Sequence, residues 1–184
     1  MEKVVAHCQE KMDKAVNALK DGYNAIRTGR ASSALLDKIR VDYYGQKTPL
    51  SQVATVSIPE ARLIVIQPWD RALISEIEKS IRTSDLGINP SNDGKVIRIA
   101  IPPLTQDRRK DLVKTAKNEA EQVRVSIRNI RREGNDELKK GLKDGDLTED
   151  DEKRIEAELQ RITDAAISAV NKVFEEKEKE ILEV

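Results

Sequence analysis

The strongest constraint on this fold is the spacing of the apolar residues, which recur every three or four positions along three long stretches. This spacing places side chains on one face of an α-helix, and such a face must be buried against another element. The stretches are residues 2–27, residues 105–143, and a third after the break at 144–148. Their apolar residues are Val5, Cys8, Met12, Ala15, Leu19, Gly22 and Ile26; Leu112, Ala116, Ala120, Val123, Ile127 and Ile130; and Ile155, Leu159, Ile162, Ala166, Ala169 and Val173.

Between the first two stretches the apolar spacing changes to every second residue, which is typical of strands with one buried face. Prolines and short runs rich in Gly, Asn and Asp separate these segments, as expected of turns. We predict strands at 38–43, 53–58, 62–67 and 96–101, a turn at 44–47, and a helix that Asp70 caps and that ends near Arg82.

The fold class that follows is α+β. Three long amphipathic helices bury their faces most simply as a three-helix bundle, which we assign to residues 1–30 and 105–184. Residues 31–104 then form an inserted, hinged, small β/α/β domain. Two connections give this hinge limited freedom, and Pro102-Pro103 stiffens one of them.

The composition excludes several classes of function. With 36% charged and 38% hydrophobic residues, the chain has no apolar run long enough for a membrane span and no secretory leader. His7 is its one histidine and Cys8 its one cysteine, and it has no glycine-rich phosphate loop. The acidic run 144–151 lacks the glycine and glutamate of a calcium loop. We therefore expect no enzyme activity, no catalytic residue, no metal and no cofactor.

The formal net charge is zero, but the charge is divided along the chain. Residues 105–143 carry 12 basic and 7 acidic residues, whereas residues 144–184 carry 6 basic and 14 acidic residues. The five aromatic residues are too few for a base-stacking platform of the kind used by many RNA-binding modules. This combination favours recognition by charge and shape.

One face of the second long helix is basic. Lys110, Lys114, Lys117, Arg124, Arg128 and Arg131 fall within about 100° of arc, with Arg132 on the edge of the same face. Glu121 alone interrupts the row. A solvated helix face is the ordinary alternative, but such a face mixes both signs of charge, and a row of one sign indicates phosphate binding. Arg27 and Arg30 either favour the end of the first helix through its dipole or form a second contact.

Eight motifs occur in order along the chain. They are Arg27-Thr-Gly-Arg-Ala31, Val41-Asp-Tyr-Tyr-Gly45, Pro68-Trp-Asp70, Asp85-Leu-Gly-Ile-Asn-Pro90, Asp93-Gly94, Pro102-Pro-Leu-Thr105, Arg108-Arg-Lys110 and Ile127-Arg-Asn-Ile-Arg-Arg132. Together they resemble the ribosome recycling factor family. The resemblance covers essentially the whole chain and implies a three-helix bundle with a hinged β/α/β domain, L-shaped in the outline of a transfer RNA.

The resemblance implies a function after translation termination. The protein would bind large-subunit ribosomal RNA near the A site, and elongation factor G with GTP would act on it to split the subunits. It would thereby release messenger RNA and deacylated tRNA without hydrolysing anything itself. We expect a monomer in the cytoplasm, without membrane contact. The alternative is a helical coiled-coil chaperone or scaffold.

The motif matches also imply site residues. Arg132 is the first expected rRNA contact, followed by Arg128 and Arg131, then Arg27 and Arg30, with Arg124 and Lys117 in the same basic row. The expected hinge residues are Ala31, Pro102, Pro103, Leu104 and Thr105. One departure is Gly134, where the family usually has alanine, and Gly141 follows it. Because each glycine costs about 1 kcal/mol in a helix interior, we expect a softer helix beside Arg132.

Overall fold

The computed structural model describes residues 2–183, without the side chain of Glu2, and divides them into two compact units. Met1 and Val184, which the domain prediction includes, lie outside the described residues. The helical unit contains residues up to Arg27 and residues 106–183, and the β unit contains residues 28–105. The helices are α1 (Glu2–Asn24), α2 (Ile74–Arg82), α3 (Gln106–Lys143) and α4 (Glu149–Leu182), and the strands are β1 (Arg40–Tyr43), β2 (Gln46–Pro49), β3 (Ala54–Glu60), β4 (Leu63–Pro68), β5 (Pro90–Asn92) and β6 (Ile97–Ala100).

The helical unit is an antiparallel bundle of α1, α3 and α4. Cys8 near the start of α1 lies beside Ile130 of α3, and the Tyr23 hydroxyl near the end of α1 donates to the carbonyl of Ala116. The 38 residues of α3 extend about 57 Å. Thr148 caps α4 through a hydrogen bond that its hydroxyl accepts from the amide of Asp151 at 3.2 Å. In the described chain no helix is long and apolar enough to cross a membrane.

The buried face of α1 differs in part from the predicted one. Val16 and Tyr23 are buried, whereas Ala15 is half-buried and Gly22 is exposed. The helix also ends at Asn24, before the predicted end, because the next two amides bond to carbonyls three residues back and tighten the chain. Tyr23 therefore occupies the core position that we assigned to its neighbour.

The two glycines of α3 lie within one continuous helix that ends at Lys143. Gly134 is buried, and a β-carbon placed on it would lie 2.9 Å from the sulfur of Cys8 and 3.1 Å from Cδ1 of Leu159. A β-carbon on Gly141 would lie 3.0 Å from Cδ1 of Leu147. Both glycines therefore permit close packing inside the bundle, a role that the sequence did not reveal.

The β unit consists of the β1–β2 hairpin and a four-stranded antiparallel sheet in the order β3-β4-β6-β5. Helix α2 buries Ile74, Ile77 and Ile81, and Asp70 caps the short turn before it, as predicted. Strands β2 and β5 were missed because they are short, polar and without apolar alternation. The predicted α+β class, with long helices and a small β/α/β domain, is confirmed, whereas the L-shaped outline stays a prediction.

Candidate nucleic-acid interface

The basic row on α3 is not uniformly accessible. Lys110, Lys114 and Lys117 are exposed, as is Arg132 at the other end of the row. The Arg124 side chain, by contrast, is only 15% exposed. Accessibility therefore differs sharply among side chains that the sequence placed on one face.

Arg124 lies in the groove between α3 and α4. Its Nε is 2.8 Å from Oε2 of Glu121, and its Nη1 donates to Oδ1 of Asn171 on α4 at 2.8 Å. A carboxylate on the same helix turn and an amide on the neighbouring helix therefore hold this guanidinium. Much of its charge is compensated within the bundle.

Glu121 also pairs with Arg128, whose Nη1 lies 3.3 Å from Oε1 of this carboxylate. The hydrogen bond from Arg124 and, after it, the hydrogen bond from Arg128 lower the pKa of Glu121. The acidic residue that interrupts the row thus binds two of its arginines. One negative charge fixes their positions and reduces the net charge that they present.

Arg131 and Arg132 are held by neutral groups instead. Nη1 of Arg131 donates to Oε1 of Gln160 on α4 at 2.9 Å, and Nη1 of Arg132 approaches Oδ1 of Asn129 at 3.5 Å. An amide orients a guanidinium without cancelling its charge, and the exposed forked donor set of an arginine suits phosphate. These two arginines therefore keep their positive charge, whereas Arg124 and Arg128 share theirs with Glu121.

Sequence reasoning missed the residues that orient these arginines. Asn129 and Glu121 each lie three positions before an arginine, a spacing that brings side chains together on a helix and that could have revealed them. Gln160 and Asn171 are on α4, so their roles depend on the register of two helices. No local pattern reveals such a register.

Arg27 and Arg30 both follow α1 rather than lie in it. The helix ends at Asn24 and has no basic residue in its last turn, so both arginines lie beyond the turn on which a helix dipole acts most strongly. Both side chains are exposed, Arg27 in the helical unit and Arg30 in the β unit. A role in contacting a ligand stays a prediction for both.

The expected hinge residues are fixed to the β unit to different extents. The amide of Ala31 donates to the carbonyl of Ala61 at 2.8 Å. The amide of Ile101 donates to the carbonyl of Arg62, also at 2.8 Å. Both connecting segments are therefore tied to the turn between β3 and β4. Gly29, at φ +77°, packs beside Leu104, and its β-carbon would lie 3.2 Å from Cγ of that residue.

A long helical bundle with an accessible cationic end, joined to a small β domain, is typical of a protein that binds a polyanion. In the described part of the chain, no three His, Cys, Asp or Glu side chains are grouped to hold a metal ion. The ribosome recycling factor family model matches residues 19–182. The chain belongs to the ribosome recycling factor family.

Individual relatives agree with this assignment. The ribosome-recycling factor of Treponema denticola is 63% identical over 183 residues, which cover 100% of this chain and 99% of the relative. A solution structure of ribosome recycling factor is 43% identical with a TM-score of 0.74, covering 100% of this chain and 97% of that one. The predicted family is confirmed, and so is the prediction of no enzyme activity, because the family consists of non-enzymatic translation factors.

A second similar structure comes from models of the T. thermophilus ribosome recycling factor and the E. coli elongation factor G bound to the E. coli post-termination complex. That structure is 49% identical with a TM-score of 0.61, and the match covers 98% of each chain.

Proposed function

We propose that this protein recycles ribosomes after translation termination. It binds the post-termination ribosome and, with elongation factor G and GTP, promotes dissociation of the subunits. The observation that carries this function is family membership over nearly the whole chain, together with the similar T. thermophilus factor bound to the post-termination complex with elongation factor G. The site of action is the cytoplasm.

The helical unit is the part that binds large-subunit ribosomal RNA. The contact centres on Arg132 and Arg131, because neutral amides orient them and leave their charge available. Arg128 and Arg124 contribute less, since they share Glu121. Lys117, Arg27 and Arg30 extend the contact by charge alone.

The β unit is the domain that moves. We place one domain at residues 1–30 and 105–184 and the other at residues 31–104. The hinge lies at Ala31 and at residues 102–105. The amide of Ala31 is hydrogen-bonded to Ala61 of the β unit. Rotation of the backbone before Ala31 preserves this bond, whereas rotation after Ala31 would break it. The proline pair in the second connection restricts the range of rotation.

The decisive experiment is sedimentation of the protein with ribosomes across a salt series, followed by subunit splitting with elongation factor G and GTP. Arg132→Glu should leave the fold intact, weaken binding, and reduce the slope of log K against log salt, because phosphate contacts release counterions. Lys153→Glu, an equal charge change on exposed α4 surface, is the matched control. Normal splitting by Arg132→Glu would disprove this contact.

The chaperone or scaffold alternative requires an exposed apolar face. Among the described residues of the helical unit, Val125 and Leu182 are the exposed large hydrophobic side chains, and they lie on different helices. The apolar rows of the bundle are buried or partly buried against each other. No apolar surface of the bundle therefore favours that function.

A further inference from the structure

The β unit exposes aromatic side chains in a chain that has very few of them. Of the five aromatic residues, Tyr44 is 82% exposed, Trp69 68% and Tyr43 38%. In the helical unit, by contrast, Tyr23 is buried and Phe174 packs against the core. Large aromatic side chains favour burial, so a concentration of them on one small domain is typical of a binding surface.

The backbone at Tyr44 is unusual for a tyrosine. It has a φ of +49°, and Gly45 follows at +82°, so the β1–β2 turn is left-handed at both positions. Turns of this kind favour Asn or Gly at the first position, and a bulky residue there is strained. The carboxylate of Asp42 fixes the turn by accepting from the Gly45 amide at 2.9 Å. The turn itself does not require an aromatic ring, which suggests that the ring is retained for a contact.

Tyr44 forms one wall of a groove of about 430 Å³, and the ring of Tyr43 supports it edge-on at a centroid distance of 4.7 Å. The opposite wall comes from the segment that leads into α2 and from α2 itself. The residues that line the groove are Asp42, Tyr44, Gly45, Asp70, Ala72, Leu73, Glu76 and Lys79.

The charge of this groove selects a cation. Three carboxylates and one ammonium line it, which gives a net charge of −2. Asp42 and Asp70 each use one oxygen to accept a backbone amide and keep the other oxygen. Glu76 of α2 is half-buried. An aromatic face beside carboxylates suits a guanidinium or an ammonium. The same charge repels the phosphates of RNA.

We infer that the groove between the β1–β2 turn and α2 binds an arginine- or lysine-bearing segment of a protein partner in the post-termination complex. The cation stacks on the ring of Tyr44, and the carboxylate of Glu76 pairs with it. This inference rests on the proposed function, since the partner is a protein present when ribosomes are split. It assigns this groove of the β unit to protein contact.

The first test separates the ring from the turn. Tyr44→Asn should preserve or raise the thermal unfolding temperature, because Asn suits the left-handed turn, yet it should slow subunit splitting by elongation factor G and GTP about tenfold. Tyr44→Phe keeps the aromatic face and should split ribosomes at the wild-type rate. If Tyr44→Asn splits ribosomes normally, the inference is overturned.

The second test uses charge. Glu76→Lys should slow splitting, whereas Lys79→Glu, which makes the groove more negative, should speed it. Lys95→Ala, at a position of the β unit that does not line the groove, is the control. A nucleic-acid partner would reverse the two signs, so faster splitting by Glu76→Lys would overturn the inference.

The third test identifies the occupant. The full-length protein with p-benzoylphenylalanine in place of Tyr44 is irradiated on post-termination ribosomes with elongation factor G and GTP, and the same probe at Lys95 gives the background. We expect a crosslink to a protein segment with Arg or Lys, and a crosslink to RNA, or none above background, would contradict the inference. If wild-type protein splits no ribosomes, the proposed function fails; if only these groove tests fail, the function stands.

Discussion

Gly134 of α3 lies directly against Cys8 of α1, at a point where a β-carbon would come within 2.9 Å of the cysteine sulfur. The same β-carbon would lie 3.1 Å from Cδ1 of Leu159 of α4, which is fully buried. Three helices therefore meet where one of them has no side chain. The bulk of Cys8 and the absence of bulk at position 134 complement each other, although 126 residues separate them in the sequence.

Gly134→Ala should destabilise the protein despite the higher helix propensity of alanine. Propensity favours the variant by about 1 kcal/mol, but overpacking of a core costs about 1–3 kcal/mol. The measurement is the free energy of unfolding in urea. Gly22→Ala is the control, because its β-carbon would lie 4.0 Å from Oε2 of Glu119, an ordinary contact. This variant should be as stable as wild type or more stable.

A double-mutant cycle tests whether Cys8 is the neighbour responsible. Gly134→Ala should cost less in a Cys8→Ala background, with a coupling energy of about 1 kcal/mol. Part of the cost should persist, because Cδ1 of Leu159 would still lie 3.1 Å from the new β-carbon. If the two substitutions are strictly additive, contact with Cys8 is not the cause of the destabilisation by Gly134→Ala.

Tyr23 should titrate above the usual range of a tyrosine. Burial, and after it the nearby carboxylate of Glu119, raise the pKa of Tyr23 to about 12. A group whose pKa is raised by folding contributes stability that is present below its unfolded pKa, near 10, and that is lost as the pH rises towards 12. The ultraviolet absorbance of phenolate should therefore show a delayed step, which Tyr23→Phe removes and Tyr43→Phe does not.

The same hydroxyl donates to the carbonyl of Ala116 inside the bundle. Tyr23→Phe should lower the free energy of unfolding at neutral pH by about 1 kcal/mol, the usual net contribution of such a bond. This difference from wild type should shrink above pH 10. Urea unfolding at several pH values measures it, and a difference that does not change with pH would contradict the assigned cause.

The elements that sequence predicted well are those in which apolar spacing alone decides the structure. The faces of α3 and α4 follow from it, because a long helix repeats the same signal over many turns. Strands β2 and β5 are short and polar, so their pairing with β1 and β6 determines them. The role of Gly134 depends on the meeting of three helices, which no local pattern contains.

The candidate site likewise has one part that local sequence predicts and another that depends on tertiary packing. The angular position of the arginines on α3 follows from helix geometry and was predictable. Their accessibility was not, because Asn171 and Gln160 reach them from α4, 47 and 29 residues away along the chain. The charge available for phosphate therefore depends on the packing of α3 against α4.

Removal of the carboxylate of Glu121 should strengthen ribosome binding. Arg124 and Arg128 both bond to this group, so Glu121→Gln restores one unit of positive charge to the face while it preserves hydrogen-bonding capacity. We expect tighter cosedimentation at low salt and a steeper loss of binding as salt rises. Glu156→Gln, an equal change on exposed α4 surface, should have little effect. Unchanged binding by Glu121→Gln would place the RNA contact away from these two arginines.

Gln160 should act on ribosome binding through Arg131, by orientation rather than by charge. Gln160→Ala removes the acceptor 2.9 Å from the guanidinium and leaves its charge, so binding should weaken a few-fold with little change in the salt slope. Gln160→Glu supplies a carboxylate at the same position, and because it neutralises Arg131 it should weaken binding and also reduce the slope. Cosedimentation of both variants across one salt series separates the two effects. Identical behaviour of both variants and wild type would show that Arg131 does not contact the ribosome.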